Sequence, residues 1–157
     1  MSEGEGFADN ARNGGKETII STSLRLGAIV LFVESLPRAK AFYCDTLGLP
    51  LRVEDEHFLE VEMENVSLAL LERDVARELY TASVVPHARP AGTTFSLTLF
   101  VDDVDELFAQ LLMVGVPFLS PPEDQPWGQR TASFEDPDGN LFELSSPVAG
   151  APRSPLT

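Results

Sequence analysis

Apolar residues recur along this chain with two alternating periods. The run LRLGAIVLFV over 24–33 is apolar and β-rich and predicts a strand. Leu36, Ala39, Phe42, Tyr43 and Leu47 then fall on one face of a helix, with Ser35 as its N-cap, Pro37 tolerated in the first turn and Gly48 as its stop. Strands follow over 50–54, 57–63 and 66–73, parted by the turn-like pairs Asp55-Glu56 and Glu64-Asn65. A connector over 74–92, punctuated by Pro86, Pro90 and Gly92, predicts a short helix over 75–80 and a module boundary.

From Thr93 the pattern begins again. A strand runs to Val101, Asp102 or Asp103 caps a helix, and Val104, Leu107, Phe108, Leu111 and Leu112 make its apolar face before Gly115. Short strands are expected over 117–120, about 130–135 and 140–146. Val33 and Val101 are 68 residues apart, and Gly48 and Gly115 are 67 apart. A repeat of this length predicts an α+β fold of two βαβββ modules, 24–73 and 93–147, between a tail at 1–22 and another at 148–157.

The stretch from Phe134 to Leu144 reads as a hairpin. Pro137 fixes φ for the turn, Asp138 caps it, Gly139 supplies a positive φ and Asn140 re-enters a strand. On that strand Leu141, Glu143 and Ser145 share one face, and Phe142 and Leu144 the other. A carboxylate among apolar neighbours on a strand calls for a partner or a ligand, which marks Glu143.

Phe42-Tyr43 before Leu47-Gly48, Val101-Asp102-Asp103-Val104, Trp127-Gly128 and Asp136-Pro137-Asp138-Gly139-Asn140 together resemble the vicinal-oxygen-chelate proteins. That group contains glyoxalase I, extradiol dioxygenases and bleomycin-resistance proteins, and the resemblance covers about 24–147. It implies paired modules whose curved sheets place their concave faces around a shared cleft. It also implies a divalent metal held by one residue from the first strand of each module and a Glu from the last strand. Counting five residues back from Val33 and Val101 puts Ala28 and Ser96 at the first-strand positions. Ala28 has no donor atom and the Ser96 hydroxyl is a weak one, so only Glu143 keeps the pattern. Strand four offers Leu68 and Leu70 toward the cleft, with Glu72 on the same face nearer the rim. His57 and His87, the only histidines, fall on no ligand position of the family and read as solvent-facing or structural. The expectation is a site without metal or other cofactor.

Charge narrows the ligand class. The formal charge is −14, of which residues 1–22 carry −2, so the body is strongly acidic and a nucleic-acid backbone is a poor partner. Glu54, Asp55, Glu56, Glu60, Glu62 and Glu64 crowd residues 54–64 without a Lys or Arg. Leu59, Val61 and Met63 alternate with Glu60, Glu62 and Glu64, so the acids face either the cleft or solvent. Trp127 reads as a stacking platform for a planar ligand or as a loop anchor, and Arg130 as a partner of Glu143, of Asp136 or of a ligand anion. A single cysteine, Cys44, excludes an internal disulfide. With no apolar run for a membrane span or signal, the chain is expected to be cytoplasmic, and by analogy a homodimer.

Three functions follow from the resemblance. A metal-free protein would bind a small, cationic organic ligand through Ser96, Trp127, Arg130, Glu143, Glu60 and Glu62. A lyase or dioxygenase of the glyoxalase or extradiol type would need an altered ligand set. A metal-free enzyme would use Glu143 as its general base.

Overall fold

The computed structural model describes residues 26–80, 83 and 85–151; the expected N-terminal tail, the first residues of the first strand and the last six residues lie outside that range. The first module runs β1 (Ala28–Val33), α1 (Leu36–Lys40, continued as a π-helical stretch over Ala41–Thr46), β2 (Leu51–Glu54), β3 (Phe58–Val61) and β4 (Ser67–Glu72). A connector carries α2 (Arg73–Leu79), which begins two residues earlier than its periodicity suggested. The second module runs β5 (Ser96–Phe100), α3 (Val104–Met113), β6 (Phe118–Asp124), β7 (Gln129–Glu135) and β8 (Leu141–Pro147). The sheets have the same order, β1-β4-β3-β2 and β5-β8-β7-β6, with the first strand parallel to the last and the other pairs antiparallel.

Both helices use the same start and stop signals. The Ser35 hydroxyl accepts from the Arg38 amide at 3.4 Å, and the Asp103 carboxylate accepts from the Glu106 amide at 3.0 Å. Gly48 (φ 72°) and Gly115 (φ 89°) end them in the left-handed region. The first module nevertheless holds one residue more between its Val and its Gly, as the offsets of 68 and 67 record. That residue is absorbed by the π-helical stretch, where the Leu47 amide bonds five residues back to the Phe42 carbonyl at 2.9 Å.

The helix-side faces of both sheets share one core. Leu31 and Val33 of β1, Leu59 and Val61 of β3, and Leu68 and Leu70 of β4 pack in the same cluster as Ala132 and Phe134 of β7 and Phe142 and Leu144 of β8. Tyr43 of the first helix lies 6.0 Å, ring to ring, from Phe142, and Phe134 stacks on Phe142 at 5.3 Å. The first module's helix is therefore packed against the second module's sheet. Apolar burial draws both helix-covered faces inward, so the alternate side chains of each sheet point away from this core. Leu68 and Leu70, expected toward the cleft, lie in this core; the outward residues of β4 are Ser67, Ala69 and Leu71.

The turn between β7 and β8 fastens the modules. Asp136, not Asp138, caps it, accepting from the amides of Asp138 and Asn140 at 2.9 and 2.8 Å and from Asn140 Nδ2 at 2.7 Å. Asp138 instead reaches into the first module, where it accepts from the Glu34 amide at 2.8 Å and from Arg73 Nη2 at 3.1 Å. Burial pushes the Asp138 carboxyl above the usual range, against the pull of the Glu34 N–H and the Arg73 guanidinium. Tyr43 Oη donates to Asp136 Oδ2 at 2.6 Å in the buried seam.

Candidate functional site

Alternation on β8 gives the site its centre. Phe142 and Leu144 are buried in the core, so Glu143 projects from the outer face, half-buried. The register pairs it with Thr98 of β5 and Ser133 of β7. The Thr98 hydroxyl lies 3.4 Å from Glu143 Oε1, a long donor contact that leaves the carboxylate most of its acceptor capacity. Ser96, one alternation step from Thr98, is exposed on the same face. Glu143 has no ion-pair partner among the described residues. The surface is an open carboxylate in a field of hydroxyls, fitted to accept hydrogen bonds from N–H or cationic groups. Thr98 and Ser133 were not singled out in the sequence, although strand parity puts Thr98 on the face of Ser96.

Further along this face polarity is sealed in. Gln129, Thr131 and Ser145 are buried; the Ser145 hydroxyl donates to Gln129 Oε1 at 2.8 Å, and Gln125 Nε2 donates to the Thr131 hydroxyl at 3.1 Å. Trp127, half-exposed, lies in the β6–β7 turn at that end. Ser133 opposes Glu143, and Gln129 is four residues further along β7. At about 3.3 Å per residue, Trp127 thus lies more than ~13 Å along the strand from the carboxylate. The structure does not bring the two together.

Arg130 belongs to the other side of the sheet, with Ala132 and Phe134. It donates to both carboxylate oxygens of Asp105 on α3 and to Asp124 Oδ1 on β6. This corrects the expected pairing with Glu143 or Asp136. The Arg130 hydrogen bonds hold the Asp105 carboxyl below its ordinary range.

The outer face of the first sheet is mixed. Ala28 and Val30 are exposed, while α2 and Val85 cover Leu71, Phe32 and Phe58. Glu60 projects from this face, its side chain 17% exposed, and pairs with Arg52 at 3.0 Å. Glu62 is exposed just beyond β3. Glu54 pairs with Lys40 at 2.7 Å, and His57, exposed at the start of β3, bonds Glu72 at 2.7 Å. The Glu72 hydrogen bond raises the His57 pKa above its ordinary value. The acidic segment therefore carries counter-charges that a count along 54–64 does not reveal. His87 is exposed in the connector, and Cys44 is half-buried in the first helix, its thiol pushed up by burial.

The residues do not fit a metal of the family type. The two first-strand positions hold a methyl group and a hydroxyl, Glu143 is the one carboxylate on its face of β8, and no cluster of three His, Cys, Asp or Glu side chains suited to a metal occurs among the described residues. No described helix is long and apolar enough to cross a membrane.

Comparison with known proteins agrees with this architecture. Residues 25–144 match the model of the Glyoxalase/Bleomycin resistance protein/Dioxygenase superfamily. A glyoxalase/bleomycin resistance protein/dioxygenase from Nocardioides superposes with a TM-score of 0.75 at 26% identity, over 87% of this chain and 92% of that one. TnmS3, an antibiotic binding protein from Streptomyces sp. CB03234, superposes with a TM-score of 0.61 at 30% identity, over 82% of this chain and 98% of that one. A bleomycin resistance protein of Klebsiella pneumoniae is 36% identical over 66 residues, covering 38% of this chain and 52% of that protein. With the family model spanning both modules, the chain belongs to the Glyoxalase/Bleomycin resistance protein/Dioxygenase superfamily.

Proposed function

We propose that this protein binds a small organic molecule on the outer face of the second sheet, without a catalytic metal, as a sequestering protein of the bleomycin-resistance kind. The observation that carries the reading is Glu143: an open carboxylate with no counter-charge among the described residues, beside Thr98, Ser96 and Ser133, in a family where a metal would need donors that Ala28 and Ser96 lack. Such a group recognises a ligand through donated hydrogen bonds, and a cationic donor gains most. The bleomycin-resistance and antibiotic-binding relatives support a small organic ligand.

The outward direction of the two sheet faces supports a second copy as the other wall of the cleft. One copy's first sheet, with Ala28, Val30 and Glu60, would close over the partner's second sheet, making the site complete only in a homodimer. Glu143 then fixes the ligand's donor group, with Ser96 and Thr98 adding hydroxyl contacts.

Calorimetry with a bleomycin-class glycopeptide, at low and high salt and with and without chelator, tests this reading. The expected result is salt-sensitive, chelator-insensitive binding that Glu143→Gln weakens at least about tenfold, the equivalent of one charge-assisted hydrogen bond. Stoichiometric uptake of Mn, Ni, Zn or Fe with turnover of a glutathione hemithioacetal or a catechol overturns it. Sedimentation showing a strict monomer at micromolar concentration removes the shared cleft.

A further inference from the structure

We infer that the chain holds a second site, internal to one copy, which binds a small neutral aromatic carbonyl compound with Arg73 as the hydrogen-bond donor. A cavity of about 210 Å³ lies where the outer face of β1 meets the connector. Val30 and Phe32 of β1 form its floor, and Pro86, Pro90 and Phe95 form its walls. Arg73, Asp138 and Asn140 stand at its polar end. The hollow is open, with Val30, Pro86, Pro90 and Phe95 exposed, and its volume leaves room for a ring with one short substituent. Ser96 and Glu143 are not among its lining residues, so it is distinct from the Glu143 surface of the second sheet, although Val30 is shared with the first-sheet wall proposed above.

The Arg73 guanidinium makes this a polar-ended pocket and not only an apolar gap. Its side chain is 5% exposed, and among the described residues its hydrogen-bond partner is Asp138, reached by Nη2. A guanidinium carries five N–H donors, and none of its nitrogens is both sealed from solvent and unpaired. Among the described residues Asp138 takes a bond from only one of these nitrogens, and Arg73 borders two hollows. One of these is lined by Glu34, Glu72, Asp74 and His87 and is an open acidic recess. The other is the apolar cavity, where a buried donor gains most from an acceptor.

Charge selects the ligand class. Asp138 already balances the Arg73 charge, so a carboxylate entering the cavity would leave a net negative charge against Val30, Phe32 and the prolines, which desolvation opposes. A ketone or amide oxygen accepts from the same N–H groups and adds no charge. A hydrocarbon ring fills the walls but leaves the donors unanswered. The structure thus ranks a neutral carbonyl compound above both an acid and a hydrocarbon of equal size.

Four probes of one size separate these cases: acetophenone, benzamide, benzoate and ethylbenzene, titrated into the full chain by calorimetry and by amide NMR. Acetophenone and benzamide should bind one per chain and shift the amides of Val30, Phe32 and Phe95, not those around Glu143; shifts centred on Ser96 and Glu143 would overturn the assignment. Ethylbenzene and benzoate should bind about tenfold more weakly, one unanswered or one uncompensated polar group apart. Arg73→Gln breaks a buried ion pair and can unfold the chain, so the decisive variants are Phe95→Ala, which removes a half-exposed wall, and Val30→Phe, which fills the floor. Each should weaken acetophenone about tenfold. Benzoate binding more tightly than benzamide, ethylbenzene matching acetophenone, or Phe95→Ala leaving the affinity unchanged refutes the proposal.

Discussion

Tyr43→Phe removes one oxygen from the seam between the modules, and the structure sets what that costs. Tyr43 Oη donates to Asp136 Oδ2 at 2.6 Å, and both residues are buried, Tyr43 fully and Asp136 at 3% exposure. Asp136 keeps three other donors, the amides of Asp138 and Asn140 and Asn140 Nδ2, so the variant weakens a satisfied carboxylate and does not strand it. A hydrogen bond to a charged group is worth about 1.5–3 kcal/mol, which for a chain of this size lowers Tm by roughly 3–12 °C. The pH dependence has a definite sign. Burial first, then the Asp136 charge and hydrogen bond, raise the Tyr43 pKa above its ordinary value of 10.0, so the folded state holds this proton more tightly than the unfolded state. That contribution is fully present below about pH 10 and is lost as pH rises, by up to about 1.4 kcal/mol per pH unit. Urea denaturation between pH 7 and 11, on the parent, Tyr43→Phe, Asp136→Asn and the double variant, measures both effects. The cycle should show coupling above about 1 kcal/mol, and Tyr43→Phe should flatten the alkaline loss. A Tyr43→Phe cost under about 0.5 kcal/mol with an unchanged alkaline slope refutes the reasoning.

His57 should titrate above its ordinary value, and Glu72→Gln should return it toward normal in an NMR pH titration, because the Glu72 hydrogen bond is the largest cause of the shift. Its stabilising effect is present below pH 6.5 and fades as pH rises through the folded pKa. Gly139→Ala and Gly115→Ala should each cost about 1–2 kcal/mol, since both sites have φ above 80°. The atoms nearest a Cβ at Gly139 are those of the Arg89 guanidinium, which can swing away, so a denaturation difference beyond about 2 kcal/mol between the two variants would show that Arg89 is held. Deleting exposed Asp45 should leave cooperative folding intact and convert the π-helical stretch to the spacing of the second module; loss of a single sharp urea transition would contradict that account of the extra residue.

What could be read beforehand was local. Ser35, Asp103, Gly48 and Gly115 mark helix ends through chemistry within a few residues, and alternation on β8 sorted Glu143 from Phe142 and Leu144. Leu68 and Leu70 were misdirected because β4 reads SLALLE, whose two polar ends, Ser67 and Glu72, fall on opposite parities and mark no single face. Arg130 failed differently. Its parity with Ala132 and Phe134 was legible, but its partners on α3 and β6 depend on packing and on a register shift in the β6–β7 pairing. Asp138 bonds an amide 104 residues away, and no turn rule contains that information. The packing of α1 against the second sheet was hidden for the same reason, and with it the outward direction of the candidate surface. The one-residue excess in the first module was countable, yet only the backbone turns it into a π-helical stretch.

The outward direction of Ser96, Thr98 and Glu143 has a consequence for how such a chain changes over time. Each of these residues alternates with a core residue, Leu97, Leu99, Phe142 or Leu144, whose side chain points the opposite way. Substitutions on one parity of β5 and β8 therefore alter what the surface recognises, while substitutions on the other alter whether the chain folds. Selection can act on the two nearly independently, and a library confined to the outward parity would sample new specificities without spoiling the scaffold that presents them.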